Sequence, residues 1–242
     1  MIYPDWPAPA NVKAVTTTRR GGVSEPPFDS FNLADHVGDE PDAVRRNRDI
    51  LQQSLPLPAA PVWLNQVHGD TVVDASQCGE RPSADAVYCT RTGPVCAVLT
   101  ADCLPVLLCD QNGTRVAAAH AGWRGLAGGI LESSVEALDT DPARLMVWLG
   151  PAIGPTAFEV DDAVRQVFVD RLVQAAVAFR ATTGGRWLAD LYQLARIRLQ
   201  AIGVDAIYGG TFCTLTDREQ FYSYRRDGAT GRMASLIWLD EP

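Results

Sequence analysis

The residues best suited to chemistry in this sequence are two histidines and a cysteine, each placed where an apolar segment ends. His68 lies in the segment NQVHGD, Cys103 in TADCLP and His120 in AAAHAGW. Functional groups tend to gather at such segment ends. Imidazole and thiolate groups suit zinc, and three protein ligands leave a fourth coordination position open for water or substrate. The spacing is not a short metal-binding motif, so the pattern alone also allows each residue an ordinary place in the core.

Arginines form a second group of candidate functional residues. Arg225 and Arg226 are adjacent in SYRRDG, Arg232 follows closely, Arg124 belongs to HAGWRG, and Arg48 lies on a predicted helix. A guanidinium group stays charged and binds phosphate through two parallel hydrogen bonds. Arg48, Arg124, Arg225 and Arg226 are therefore candidate substrate-binding residues. Surface charges or structural ion pairs are the alternative roles for the same residues.

Three further side chains lie close to these candidates in the sequence. Asp102 directly precedes the cysteine and is a candidate catalytic residue that could orient a metal ligand, although it could equally cap a turn. Trp123 could stack on a base or serve packing. His36 is expected to border the pocket without binding the metal.

Six segments resemble the YfiH-type family, whose members have been called laccase-domain or polyphenol oxidase proteins and later purine nucleoside phosphorylases. The segments are NQVHGD, TADCLPVLL, HAGWRG, LGPAIG, FYSYRRDG and TGRMASLIW, and the resemblance extends from about Val15 to Leu239. In that family, zinc is held by the His of QVHG, the Cys of ADC and the His of HAGWRG. The resemblance thus implies His68, Cys103 and His120 as metal ligands, within one α+β domain over residues 1–242 that is related to a group of cysteine hydrolases.

The resemblance also implies an activity. A zinc-dependent purine nucleoside phosphorylase would cleave adenosine or inosine, and also methylthioadenosine, with phosphate as co-substrate and with adenosine deamination as a further activity. Phosphorolysis needs a phosphate held by arginine and aimed at the anomeric carbon, whereas deamination needs a metal-activated water and a proton shuttle. His68, Cys103, His120 and Asp102 would then be the catalytic residues. The sequence does not identify the group that protonates the leaving base.

Three other functions stay open at this point. A copper-dependent polyphenol oxidase is the older description of the family; three histidines cannot supply the histidine-rich centres of a multicopper laccase, which leaves a mononuclear copper site. A cysteine hydrolase or amidase that edits peptidoglycan precursors would use Cys103 as nucleophile and His120 as base. A non-catalytic partner protein would need a purely structural metal.

Composition sets limits on partners and location. The chain has 242 residues, of which 47% are hydrophobic and 21% charged, and its formal net charge is −8. An acidic chain repels nucleic-acid backbones, although a few arginines can still form a local anion pocket, so we expect no nucleic acid, and the resemblance implies a small-molecule nucleoside as substrate. The N-terminal MIYPDWPAPA does not look like a signal peptide, and no apolar run approaches the ~20 residues of a membrane span. We therefore expect a cytoplasmic protein without membrane contact, with an oligomeric state left open and six mostly reduced cysteines that include no CxxC pair.

Strands and helices must position these groups. Strands are predicted at Lys13–Thr18, Val62–Leu64, Val72–Asp74, Ala86–Cys89, Val95–Thr100, Val106–Cys109, Arg115–Ala119, Leu145–Leu149, Val204–Tyr208 and Met233–Leu239. Helices are predicted at Pro41–Leu55, Gly125–Leu138, Asp161–Val173 and Leu188–Ile202. Because many early strands follow one another without helices between them, the pattern argues against regular βαβ winding. It favours an α+β fold with mixed β-sheets and outer helices, and the family resemblance implies that the layers form a sandwich.

Overall fold

In the computed structural model, which describes residues 1–241, the strands form sheets of six, four and three strands. The strands are β1 Val12–Thr16, β2 Pro61–Val62, β3 Val72–Asp74, β4 Ala86–Cys89, β5 Val95–Thr100, β6 Leu104–Asp110, β7 Val116–Ala121, β8 Leu145–Leu149, β9 Glu159–Val160, β10 Phe179–Ala181, β11 Trp187–Ala189, β12 Ala206–Gly209 and β13 Met233–Leu239. The α-helices are α1 Pro41–Ser54, α2 Trp123–Gly128, α3 Ile130–Ala137, α4 Asp162–Arg171, α5 Leu191–Ala201 and α6 Tyr224–Asp227, with 3-10 segments at Pro142–Arg144, Val173–Ala178 and Thr183–Gly185. The sheet orders are β12-β8-β6-β7-β4-β3, β1-β13-β5-β2 and β10-β11-β9.

Strand β6 shows how the six-stranded sheet is covered on both faces. Leu104, Val106 and Leu108 pack in one cluster with residues of α2, α3 and α5. Leu107 and Cys109, which point to the opposite face, pack against the four-stranded sheet. Every residue of β6 is therefore buried, and the strand is continuously apolar from Leu104 to Cys109 instead of alternating.

The outer face of the four-stranded sheet is covered by α1 and the loop before it. Ala97 and Leu99 of β5 pack with Leu51 of α1, whereas Cys96 and Val98 of the same strand face the six-stranded sheet. The layers therefore run from helices through the six-stranded and four-stranded sheets to α1. Both large sheets contain parallel and antiparallel pairs. This arrangement confirms the predicted α+β sandwich with mixed sheets and outer helices.

The prediction of one continuous helix at Gly125–Leu138 is wrong. The structure has two helices there, α2 and α3, separated by Gly129 at φ 121°. An α-helix cannot continue through that backbone conformation, which glycine adopts readily. An apolar periodicity read along the sequence does not reveal such a break, because both helices bury the same side.

Shorter elements differ more from the prediction. The strands β9, β10 and β11 have two or three residues each and lie outside the predicted set. Helices α4 and α5 are shorter than predicted, since Asp161 and Asp190 accept hydrogen bonds as N-caps and fix where each helix begins. Within residues 1–241, no helix has the length and apolar character that crossing a membrane requires.

Candidate metal centre and active-site cavity

Three segments that are distant in sequence bring the two histidines and the cysteine together. His68 lies in the loop after β2, Cys103 in the turn between β5 and β6, and His120 on β7. One ligand atom from each residue lies within 4.8 Å of the other two. His120 is buried, Cys103 is partly buried and His68 is exposed, so the group is accessible from one side. The three residues could hold one metal ion and leave a coordination position for water or substrate.

A buried carboxylate, Asp85, organises two of the three ligands. It accepts hydrogen bonds from the main-chain N–H groups of Val67 at 3.1 Å, His68 at 2.9 Å and Gly69 at 2.7 Å. These bonds hold His68 in the left-handed region at φ 61°. The same carboxylate lies 2.8 Å from Nδ1 of His120. With Nδ1 engaged in this way, His120 presents Nε2 toward the other ligands.

Asp85 is a functional candidate that the sequence-based prediction missed. Its segment SADAVYC places one acidic residue directly before the buried strand β4. A fully buried carboxylate is costly unless it is paired, and that placement was the available signal. Burial raises the pKa of Asp85, but the hydrogen bonds from His120 and from the main chain outweigh it, so the pKa is lowered. Asp85 is therefore ionised at neutral pH and holds its partners as an anion.

Cys103 and His120 form a coupled acid–base pair. Burial opposes ionisation of the Cys103 thiol, but the charge and hydrogen bond of His120, with a smaller contribution from His68, lower its pKa to about 6. Burial likewise opposes the charged form of His120, but Cys103 and Asp85 raise its pKa to about 9. Each member of the pair thus favours the charged form of the other, the Cys103 thiolate and the His120 imidazolium. A thiolate is the form in which cysteine binds metals or acts as a nucleophile.

Gly122 keeps space open between the ligands. A Cβ atom at this position would lie 3.0 Å from Cδ2 of His68 and 3.1 Å from Sγ of Cys103. Contacts this short would force both ligand side chains to move. Glycine in the HAGWRG segment therefore lets β7 turn into α2 without displacing the candidate metal ligands.

Gln66 fixes the His68 loop from another direction. Its side-chain amide donates to the main-chain oxygen of Leu99 at 2.9 Å and accepts from the main-chain N–H of Leu99 at 2.7 Å. These two bonds attach the loop to β5, two residues from the metal ligand. Gln66 is a second residue that the sequence-based prediction missed, although it belongs to the NQVHGD segment.

Asp102 ties the Cys103 turn to helix α6. Asp102 has a backbone φ of 84°. One of its carboxylate oxygens accepts a hydrogen bond from Oγ1 of Thr214 and the other accepts one from the main-chain N–H of Arg225, both at 2.6 Å. The sequence left open whether Asp102 orients a metal ligand or caps a turn. In the structure its carboxylate instead joins the turn to two later segments, so Asp102 positions Arg225 relative to Cys103.

A cavity of about 390 Å³ opens beside the three candidate ligands. Its wall includes all three ligand residues, apolar side chains such as Ile153 and Phe158, and the polar side chains of His36, Arg225 and Arg232. That volume lies within the usual range for small-molecule sites. A mostly apolar wall with a few polar groups is also typical of such sites. His36 borders this cavity, as expected from the sequence.

Arg225 and Arg232 are the cations of the cavity wall. The Arg225 guanidinium donates to the main-chain oxygen of Glu159 at 3.0 Å and lies 5.3 Å from the ring centroid of Phe158. The Arg232 guanidinium lies 5.9 Å from the ring centroid of Tyr224. Within residues 1–241, neither guanidinium forms an ion pair with a carboxylate. Two arginines without a carboxylate partner make this part of the wall suitable for an anion.

The other three candidate arginines lie outside this cavity wall, judged over residues 1–241. Arg226 donates to three main-chain carbonyl oxygens and pairs with Asp227 at 2.7 Å. Arg48 donates to a main-chain oxygen and lies 3.6 Å from Asp35. Arg124 lies 4.5 Å from the ring of the preceding tryptophan. Of the four arginines predicted to bind substrate, Arg225 lines the cavity beside the candidate metal ligands. Arg232, which was not among those four, lines the cavity as well.

Comparison with known proteins gives consistent matches over nearly the whole chain. Residues 13–240 match the family model described as multi-copper polyphenol oxidoreductase laccase. A protein of Pseudomonas aeruginosa named purine nucleoside phosphorylase is 56% identical over 99% of this chain and 98% of its own length. The Escherichia coli purine nucleoside phosphorylase YfiH is 54% identical, with the same coverage of both chains.

A solved structure shows the same architecture. The crystal structure of a Neisseria meningitidis protein from the family DUF152 superimposes with a TM-score of 0.96 at 55% identity. The match covers 99% of both chains. The similarity therefore extends over the layers that position the three candidate ligands.

Proposed function

The chain belongs to the laccase-like family that contains the YfiH-type proteins, and from that premise we propose that it is a zinc-dependent purine nucleoside phosphorylase. Its substrates would be adenosine, inosine and methylthioadenosine, with phosphate as co-substrate. Deamination of adenosine would be a second activity of the same site. The proposed metal ligands are His68, Cys103 and His120.

The observation that carries this proposal is that the three candidate metal ligands line the same cavity as two arginines that have no carboxylate partner within residues 1–241. Phosphorolysis requires an anion, a nucleoside and a polarising group within one enclosed space. Arg225 and Arg232 supply donors suited to phosphate. Ile153 and Phe158 supply an apolar surface on which a purine ring can pack.

The donor set fits a single zinc ion better than a copper cluster. Two imidazoles and one thiolate suit zinc, and the mononuclear arrangement with an open position is common in zinc enzymes. The multi-copper description of the family does not fit this chain, because the sequence has three histidines and two of them already belong to one site. A mononuclear copper site is the remaining form of the oxidase alternative.

In the proposed reaction, the protein side chains bind and orient two substrates. When bound, zinc would supply Lewis-acid polarisation of a substrate atom. Arg225 and Arg232 would hold phosphate and direct one of its oxygens toward the anomeric carbon. The carboxylate of Asp102 keeps Arg225 in place by accepting a hydrogen bond from the main-chain N–H of Arg225. Asp85 keeps His68 and His120 in place in the same way. Fixed geometry of this kind converts a bimolecular reaction into an effectively unimolecular one.

A cysteine hydrolase is the second candidate, because Cys103, His120 and Asp85 form a continuous chain. Asp85 engages Nδ1 of His120 at 2.8 Å, and the pKa of Cys103 is lowered to about 6. This is the arrangement of an activated thiol nucleophile with an oriented base. The two candidates make opposite demands, since a thiolate bound to zinc is not free to attack a substrate.

Product analysis separates the candidates. We expect purified protein to carry about one zinc per chain and to release free purine base from adenosine or inosine when phosphate is present. Chromatography of products with holo and chelated protein, in phosphate and in phosphate-free buffer, provides the measurement. The Cys103→Ala variant should lose most of the metal, and its rate of base release should fall by orders of magnitude.

Each contrary result points to a different activity. If the same amount of purine base is released with and without phosphate, the reaction is hydrolysis and not phosphorolysis. Full activity after chelation, together with inhibition by alkylation of Cys103, would favour the cysteine hydrolase. Stoichiometric copper with phenol oxidation and no purine product would favour the oxidase.

A further inference from the structure

His36 is a cavity-lining residue to which the proposed metal and phosphate sites assign no role. It borders the same cavity as the metal ligands and Arg232, and its side chain is 46% exposed. The loop that carries it is held from outside the cavity, because Arg81 pairs with Asp35 at 2.8 Å and Arg48 lies 3.6 Å from the same carboxylate. The ring is thus presented to the cavity by an ordered segment.

The surroundings of His36 favour its neutral form. Nδ1 lies 3.6 Å from Oδ1 of Asp35, beyond hydrogen-bond distance, and a neutral imidazole keeps one ring nitrogen as an acceptor. Burial and the positive charge of Arg232, with a smaller effect from Arg81, lower the pKa of His36 despite the opposing effect of Asp35. At neutral pH the ring therefore offers the cavity a hydrogen-bond acceptor.

Several other polar groups in the wall are committed elsewhere or are pure donors. Both ends of the Gln66 amide bind the main chain of Leu99, and both carboxylate oxygens of Asp102 accept internal hydrogen bonds. The guanidinium groups of Arg225 and Arg232 donate and cannot accept. The acceptor nitrogen of neutral His36 therefore adds to a wall in which Arg225 and Arg232 supply donors, alongside the hydroxyl groups of Thr100 and Tyr224.

We propose that His36 accepts a hydrogen bond from a ribose hydroxyl of the nucleoside and so selects ribonucleosides over deoxyribonucleosides. This inference rests on the proposed phosphorylase function. A phosphate held by Arg232 must lie against the anomeric carbon in order to react. His36 and Arg232 line the same cavity, so a nucleoside whose anomeric carbon faces that phosphate would bring its sugar toward His36 and leave Ile153 and Phe158 for the base.

The test compares kcat/KM for adenosine, 2′-deoxyadenosine and 3′-deoxyadenosine in the metal-loaded enzyme at saturating phosphate. We expect the unmodified enzyme to prefer adenosine to one of the deoxynucleosides by roughly 3- to 10-fold, the range of one hydrogen bond. His36→Phe keeps a ring but removes the acceptor, so the ratio of kcat/KM for adenosine to kcat/KM for the same deoxynucleoside should fall to about one. His36→Gln restores an acceptor oxygen and should recover part of the preference.

The outcomes distinguish this inference from the function on which it rests. If the unmodified enzyme phosphorolyses no nucleoside, the proposed function is wrong and this inference fails with it. If it does so and His36→Phe discriminates as strongly as the unmodified enzyme, the role of His36 alone is wrong. Circular dichroism reports whether the variant is folded; should His36→Phe not fold, His36→Leu carries the same comparison.

Discussion

Asp85 acts on two metal ligands at once, since its carboxylate binds the main chain at His68 and the imidazole of His120. Asp85→Asn preserves the size of the side chain but removes its charge and replaces one acceptor oxygen by a donor. Loss of such a supporting group typically lowers metal affinity by roughly 10- to 100-fold. We expect that loss for Asp85→Asn, measured by competition with a chromophoric zinc chelator. The exposed Asp49→Asn variant is the matched control, and equal affinities in the two variants would show that Asp85 does not support the site.

Arg225 and Arg226 are adjacent in sequence, yet their surroundings predict different variant phenotypes. Arg225→Ala removes a cation from the cavity wall, so the KM for phosphate should rise by roughly 10- to 100-fold while the KM for nucleoside changes little. Arg226→Ala instead leaves three main-chain oxygens without their donor and should lower the free energy of unfolding by roughly 1–3 kcal/mol. Phosphate saturation kinetics and urea unfolding measure the two effects. A larger rise in the KM for phosphate in Arg226→Ala would reverse the assignment.

At the scale of secondary-structure elements, the junction between β7 and α2 determines the space at the metal site. Gly122→Ala would place a Cβ about 3 Å from His68 and Cys103, so we expect metal occupancy to fall sharply while the fold is kept. Gly79→Ala is the control, because a Cβ there has no neighbour within 4 Å and the residue is outside the left-handed region. Elemental analysis and circular dichroism of both purified variants provide the comparison. Full occupancy in Gly122→Ala would mean that the junction can shift without cost.

The same scale shows what could be predicted from the sequence. Strands such as Val95–Thr100 and Met233–Leu239 were predictable because they are continuous apolar runs buried on both faces. The α+β fold with mixed sheets was predicted from the order of strands, whereas the sandwich and the grouping of the candidate metal ligands followed from the family resemblance, which the fold and the cluster of side chains support. The break at Gly129 was not predictable, because the apolar stripe continues across it.

Contacts between distant residues account for the rest of what the sequence did not reveal. Asp85 reaches His120 across 35 positions, and Gln66 reaches Leu99 across 33. Neither separation corresponds to a helix or strand period, so the pairing depends on the assembled sheets. For the same reason, the sequence could not separate Arg225, which lines the cavity, from Arg226, which binds main-chain oxygens.

At the scale of the whole molecule, the three candidate metal ligands lie where the two large sheets meet. The chain leaves the four-stranded sheet at Thr100 and enters the six-stranded sheet at Leu104, so Cys103 belongs to the crossing itself. The two sheets also share one apolar cluster, in which Val98 and Ile237 pack with Leu107. A metal bound to Cys103 and His120 would therefore connect the sheets at the edge of their common core.

This arrangement predicts that the sheets and the metal site unfold together. A ligand that binds the native state alone at about 100 times its Kd stabilises that state by about 2.7 kcal/mol. For a protein of this size, each kcal/mol corresponds to roughly 2–4 °C in Tm. Calorimetry should therefore show one transition in zinc-buffered solution, and a chelator should lower its midpoint by roughly 5–10 °C without splitting it. The His68→Ala variant should already melt at the lower temperature and respond little to the chelator. Two separate transitions would instead show that the sheets unfold independently, and an unchanged midpoint after chelation would show that the ion adds nothing to the connection between them.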